Sequence, residues 1–510
     1  MIKNNCISNF ILVSLLILRF DVSFGKNDSS FKKVLKAVDP YALPPEIKKT
    51  MPKGEFFNQI LSANLQIQQA RLDNSFAKLT HEIDRKMLLP QLNLGVSSSD
   101  SSATSFDRIT TLESTNRTKS SSFTLGIGGE TDWGFNYNFN LPKISKDESI
   151  SPFSTQESST LNMGATFGFH LLKNNVISTG GAKSKVSKLT FDTAREGFRK
   201  NLISALYSGE NLYYSVFQKQ AQLQIINYTF AATKALLADT KELFKQGEIA
   251  NFELVQVELQ VAQTESQVVA AQQEYKNAIE DLKGVINAKE SIYPDPKEIL
   301  TLPVFETLSF EELFAVAKAN RSDYRTFLWK VENDRLNATL SYSNTLPSLD
   351  LGFQYQKQRE EESVSKVLEK PLDLHSPQKS ITLTLTYDLF NYQAKNSYIA
   401  AKNQLKKDDL DFETLQNQIK REIMAAINAA EAAQQKLKLS SKSKGLSLAK
   451  LQAEFDRYQI GESSIRNIID FQKDGNSAET DELNSRIDLH RAASNLRKVQ
   501  GLAPEEVGKL

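Results

Sequence analysis

The chain has 510 residues and a net charge of +1, with 62 basic residues against 61 acidic ones, a balance that gives no footing for a nucleic-acid partner. Only 40% of residues are hydrophobic, and glycine (21) and proline (14) are scarce, so the length is not that of several compact domains. Long stretches rich in Ala, Gln, Glu, Lys and Leu have the content of extended helices instead.

Residues 1–25 read as a signal peptide. Lys3 supplies positive charge, Phe10 to Leu18 is apolar except for Ser14, and Ser23 and Gly25 fit a small-residue cleavage pattern. Arg19 and Asp21 leave the cleavage point open, and the mature chain is expected to begin near Lys26. The run is too short to span a bilayer as a helix. Cys6, the only cysteine, lies before that run, so the mature chain is expected to carry no disulfide and no lipoprotein anchor. No later stretch has 18 consecutive apolar residues, so a membrane-spanning role requires a closed β-barrel.

A first helix is predicted from about Gly54 to Met87. Strands follow at Gln91 to Ser97 and Leu161 to Leu171, with two more, Ser121 to Gly128 and Trp133 to Leu141, around the turn Gly129 to Asp132. The Ser/Thr-rich segments 97–121 and 143–159 read as exposed loops. Gly180-Gly181 reads as a flexible joint before a helix from Ala182 to about Lys245, and Asn251 to Ile286 returns as a second helix. On the latter, Phe252, Val255, Leu259, Ala262, Ser266 and Val269, continued by Tyr275, Ile279, Leu282 and Ile286, form a coiled-coil seam.

The same order then recurs. A helix opens at the Ser309/Glu312 capping box and ends before Pro347. Strands Ser348 to Gln354 and Ile381 to Leu389 flank a charged loop, Lys357 to Lys379, and long helices run from Asn396 to Tyr458 and from Ser464 to about Val499. Leu89-Pro90-Gln91-Leu92-Asn93-Leu94-Gly95 matches Leu346-Pro347-Ser348-Leu349-Asp350-Leu351-Gly352, and Phe244-Lys245-Gln246-Gly247-Glu248 matches Tyr458-Gln459-Ile460-Gly461-Glu462. Two matches in one order point to a tandem repeat. The first copy is 26–286 (strands about 89–171, helical hairpin about 182–286) and 287–308 is a linker. The second copy is 309–510 (strands about 347–390, hairpin about 396–500). The strand alternation fits a membrane barrel with an apolar outside and a polar lumen, and it equally fits half-buried strands of a soluble sandwich.

No catalytic constellation, cofactor motif or metal-ligand set is found. His81, His170, His375 and His490 are dispersed and read as surface or interface residues. Gly126 to Gly129 lies within strands and lacks the strand-to-helix context that phosphate binding needs.

With the repeat drawn, the chain resembles the TolC-type outer-membrane efflux protein family. The resemblance rests on the duplicated order, LPxLxLG at the helix-to-strand junctions and the [FY]xxGE turns. His170 to Asn174 and Asp388 to Asn391 are similar to the family's apolar strand ends, without the usual proline. The resemblance implies an α+β fold: a membrane β-barrel shared by a homotrimer, four strands from each copy, continued by a long antiparallel α-helical coiled-coil tunnel. It implies the channel-tunnel subunit of a tripartite efflux or type I secretion system in the outer membrane of a Gram-negative bacterium. Its partners would be outer-membrane lipid, a periplasmic adaptor and, through that, an inner-membrane transporter. It also places the adaptor-docking tip at Gly247, Glu248, Gly461 and Glu462, and a lock at Tyr458 facing Glu253. The acidic ring falls on Asn467 and Asp470, of which only Asp470 is charged. Ser463 replaces the family's arginine, with Arg466 as a nearby substitute. The Ser121 to Leu141 pair is additional to the family's four strands and is open to two placements, in the barrel wall or over its mouth. The competing reading is a periplasmic coiled-coil adaptor or scaffold without a barrel.

Overall fold

The computed structural model describes residues 50–86, 88–106, 113–151, 154–175, 179–288, 291–303 and 309–504. The signal-peptide reading, Cys6 and Met87 lie outside them, as does part of the inter-repeat linker.

Two short helices, α1 (Lys53–Ala63) and α2 (Leu65–Lys86), replace the single helix expected at the start. Neither proline nor glycine breaks them. Asn64 does so with its side chain: Oδ1 accepts from the Ile67 N–H at 3.1 Å, while Nδ2 donates to the Val285 carbonyl at 2.7 Å. Four strands follow, β1 (Gln91–Phe106), β2 (Glu113–Glu130), β3 (Phe135–Ser151) and β4 (Ser154–His170). Then come α3 (Thr179–Gln246), α4 (Asn251–Ile286) and the short α5 (Pro296–Leu300). The second half runs α6 (Phe310–Asn320), α7 (Ser322–Ser343), β5 (Ser348–Glu361), α8 (Val364–Glu369), β6 (Ser376–Thr386), α9 (Tyr392–Gln459) and α10 (Ile465–Val499). α6 and α7 are again two helices where one was expected, broken at Arg321, whose guanidinium binds Asp323, Glu422 and the Val499 carbonyl. The Ser309/Glu312 capping box is formed.

The strands make one antiparallel sheet in the order β1-β2-β3-β4-β5-β6, so β4 and β5 join the two halves. Residues 98–106, 113–120 and 143–159 were read as loops, and most of them are strand. Ser and Thr carry no apolar period to reveal this, yet they pair across strands: Ser97 and Ser122 hydroxyls lie 2.8 Å apart, Asp100 binds Arg117, and Lys146 meets Glu157 at 3.4 Å. The second-half loop is likewise shorter than expected. β5 extends to Glu361, and α8 folds back on β4 and β5 with Val367 buried.

At ~1.5 Å per residue, the 68 residues of α3 and of α9 each span ~100 Å. α3 pairs with α4 and α9 with α10 as antiparallel hairpins. The largest core lies where α1, α3, α4, α5 and α10 meet, around Phe56, Phe57, Tyr213, Tyr214, Phe217 and Leu282. His490, read as a surface or interface residue, is buried in this region against α5, with Nε2 3.0 Å from the Ile299 carbonyl. Gly181 is no loose joint. It lies in the first turn of α3, and a Cβ there would stand 2.3 Å from the Asp132 carbonyl oxygen, so glycine is required by close packing against the β2–β3 turn.

The seam predicted on α4 is corrected over most of its length. Phe252 (70% exposed), Val255, Leu259 and Val269 face away from the chain, while Val257, Thr264, Val268 and Ala271 are buried. Only the continuation through Ile279, Leu282 and Ile286 packs inward. α4 carries two apolar stripes of the same heptad spacing, and the one through Phe252, Val255 and Leu259 is left exposed among the described residues.

Candidate functional site: a two-faced sheet and the helical tip

The sheet's side chains alternate between its faces. One register row reads Leu92, Ile127, Phe139, Ala165 and Tyr355 across five strands. The row on the opposite face reads Asn93, Gly126, Asn140, Gly164, Gln356 and Gln378 across all six. The apolar face is uncovered: Val96 is 75% and Ile381 74% exposed. Near the helices it carries an aromatic cluster. Trp133 stacks on Phe135 at 5.4 Å, Phe135 lies 4.7 Å from Phe169, and Phe167 stacks on Phe353 at 6.2 Å. Such a face costs free energy in water and gains it in hydrocarbon. The polar face is lined by amides, hydroxyls and glycines. His170 at its helix end is 2.6 Å from the Asp350 carboxylate and 3.3 Å from the Asn136 amide. β1 and β6 are the sheet edges, unpaired among the described residues.

At the far end of the molecule each helical hairpin reverses through a glycine in the left-handed region, Gly247 at φ +70° and Gly461 at φ +82°. The two turns make the same pair of hydrogen bonds. Gly247 N–H donates to Phe244 O and Glu248 N–H to Leu243 O, both at 3.0 Å. Gly461 N–H donates to Tyr458 O at 3.0 Å and Glu462 N–H to Arg457 O at 2.9 Å. These are Schellman caps, which use glycine to satisfy the last helical carbonyls without a Cβ penalty.

Between the hairpins lies a cleft of 1060 Å³ lined by Asp239, Glu242, Glu248, Glu253 and Tyr458 among others, and by no Lys or Arg. The structure therefore brings Glu248, Glu253, Tyr458 and Gly461 to one place. Burial, then the nearby Glu253 and Asp239 charges, push the Tyr458 hydroxyl up to about 12. No hydrogen bond joins Tyr458 to Glu253; they meet through the field across the cleft. Leu236, Phe455 and Ile465 of the cleft lining belong to an apolar cluster with Val257 and Ile468, against which Tyr458 packs.

Arg466, Asn467 and Asp470 lie on α10 outside the cleft lining, all three exposed. Asn467 turns back across the Gly461 turn. Its Nδ2 donates to Glu454 Oε1 at 3.2 Å and to Ser463 Oγ at 3.3 Å, and its N–H meets the Ser464 cap. Ser463 Oγ donates to the same Glu454 oxygen, and Arg457 Nη1 approaches Glu454 Oε2 at 3.3 Å. These donors, the Ser463 hydroxyl foremost, hold the Glu454 carboxyl below the usual carboxylate range. Glu454 and Arg457 were missed from the sequence. Their only signal there was the Glu-x-x-Arg spacing one turn before Tyr458, the pattern of an ordinary solvated helix face.

Residues 313–502 match the family model described as outer membrane efflux protein. No curated protein sequence matches the chain. A membrane protein from Pseudomonas aeruginosa has the same fold at TM-score 0.66 and 13% identity, over 90% of this chain and 91% of its own. The Campylobacter jejuni CmeC outer membrane channel matches at TM-score 0.63 and 14% identity, covering 95% and 94% of the two chains. The outer membrane protein VceC from Vibrio cholerae matches at 0.63 and 12%, covering 88% and 96%. The duplicated order, the two-faced sheet and the long hairpins are thus accompanied by a match to the outer membrane efflux protein model over the second half of the chain.

Proposed function

We infer that the protein is the outer-membrane channel-tunnel subunit of a tripartite efflux or type I secretion system, a passive conduit and not an enzyme. One observation carries this reading: among the described residues a single sheet has an uncovered apolar face, an amide-lined opposite face and two unpaired edges. Lipid tolerates no unpaired backbone, so such a sheet crosses a membrane only as part of a closed barrel. Six strands are too few to enclose a channel, and copies of the chain supply the rest. The uncovered stripes on α2 (Leu72, Phe76, Leu79, Ile83) and α4 (Phe252, Val255, Leu259) are the surfaces on which neighbouring copies would pack. Three copies are what the family resemblance implies. The helices then form a periplasmic tunnel, and its acidic tip cleft suits a basic adaptor surface. In the scaffold alternative the apolar sheet face would stand in water.

Purified protein in planar bilayers should give discrete conductance, and a gel should show detergent-dependent, heat-modifiable trimers. A soluble monomer without conductance would overturn the reading.

A further inference from the structure

The two halves can be aligned by number alone. α1, α2 and β1 begin at Lys53, Leu65 and Gln91, and α6, α7 and β5 begin at Phe310, Ser322 and Ser348, an offset of 257 in each case. At the long helices, Thr179 against Tyr392, the offset has fallen to 213. The first half thus holds 44 more residues between its first strand and its long helix. β5 is followed by β6 as its direct neighbour, whereas β2 and β3 separate β1 from β4. The surplus is the β2–β3 hairpin.

We propose that this hairpin is part of the channel wall, so that each copy gives six strands and a three-copy barrel has roughly 18 in place of 12. The proposal rests on the channel reading above and deepens it. Both register rows pass through β2 and β3 without changing character: Ile127 and Phe139 continue the apolar row, Gly126 and Asn140 the polar one. A hairpin folded over the mouth would have no reason to keep both. The hairpin also supplies Trp133, Phe135 and Tyr137 to the aromatic cluster, at the depth where a barrel meets the interface. Its 131–134 turn is fixed at the helix end by the contact of Asp132 with Gly181, level with the starts of β1 and β5. Lastly, the polar-face glycines include Gly126 and Gly128 of β2 beside Gly95, Gly164, Gly168 and Gly352. Side chains converge on the concave side of a curved sheet. A Cβ at Gly164 would meet the Tyr355 carbonyl oxygen at 2.4 Å, and one at Gly352 would meet Thr382 Oγ1 at 2.5 Å. At Gly126 and Gly128 of β2 such a Cβ would lie 3.2 Å from the Phe139 and 3.1 Å from the Tyr137 carbonyl oxygen, a milder form of the same crowding.

Two measurements test this. The first excises Glu113–Ser151, rejoining β1 to β4 through residues 107–112 and 152–153, and reads exclusion of neutral polymers added at the barrel mouth in planar bilayers. Diameter grows about linearly with strand number, so the cut-off radius should fall by about a third. The second uses the unexcised chain in a Cys6→Ser background. Asn138→Cys should react with a charged, water-soluble thiosulfonate and lower the conductance, whereas Phe139→Cys should react only with a lipid-soluble maleimide. Equal reactivity of the two cysteines, or an unchanged cut-off radius in an excised variant that still conducts, overturns the wall assignment and leaves the channel reading standing. If the excised chain does not assemble, the cysteine pair still decides. Absence of channels from the unaltered protein overturns both.

Discussion

At Gly247 and at Gly461 the chain reverses with the same left-handed glycine and the same two backbone hydrogen bonds, yet what surrounds the turns differs. Around Gly461, Glu454 gathers Ser463, Asn467 and Arg457 into one polar knot that ties α9 to the start of α10. Counting back from Gly247, the matching positions hold Thr240, Ile249, Glu253 and Leu243, which form no such knot. Thr240 bonds only its own helix, at the Leu236 carbonyl. The two turns share a backbone solution, which glycine alone dictates, and differ in their side chains, one tied and one untied. A moving element at the tip should therefore be the first-half hairpin, pivoting against a rigid second half.

The largest effect should come from untying the second turn. Glu454→Ala strips three donors of their shared acceptor and should raise single-channel conductance several-fold, while Thr240→Ala should leave it near that of the unaltered protein. Equal effects would erase the distinction between the turns. Next come the glycines. Nothing lies within 4 Å of a Cβ at either position, so Gly247→Val and Gly461→Val should each cost only the left-handed penalty, about 1–2 kcal/mol. Guanidinium unfolding in detergent should show the two losses to be similar, since the backbone is what the turns share. A third effect is acid sensitivity. Glu454 is held below its ordinary value of 4.5, so the stability it contributes is present above that value and lost as pH falls through the lower, folded one. Conductance should rise on acidification below about pH 4.5 in the unaltered protein and stay flat in Glu454→Gln. The smallest change is expected from Tyr458→Phe with Glu253→Gln. With no hydrogen bond between these residues, removing their electrostatic contact across the cleft should raise conductance less than Glu454→Ala does. Separately, Asp470→Asn should weaken cation selectivity if the exposed carboxylate faces the axis in the assembly.

Much of this was legible in the residues because it is written locally. Period-two alternation located all six strands, and Gly247 and Gly461 marked both reversals. The bounds of α4 were read as Asn251 to Ile286, as found. What escaped depends on neighbours. α4 has two apolar stripes, and spacing cannot say which of them meets α3 and which is left for another chain. The outer parts of β1 to β4 are polar on both faces, so they have no hydrophobic period to betray a strand. Asn64 and Arg321 break helices through partners more than 100 residues away at Val285 and Glu422, which no window of sequence contains. Glu454 looks like any solvated carboxylate until the chain turns at Gly461 and brings Ser463 back to it.

The β4–β5 seam has a consequence for how the chain is made. His170 meets Asp350 across 180 residues, and every pairing between the two halves of the sheet waits for the second half to be present. Until the second half is present, the β4 edge has no partner and the apolar face beside it stays uncovered. Long-range pairing of this kind is slow, and open edges invite wrong partners. Biogenesis should therefore be sensitive to the interval between the two halves. A chain truncated after α4 should be degraded or aggregate, and supplying residues 309–510 as a separate polypeptide should rescue it only if both are exported together.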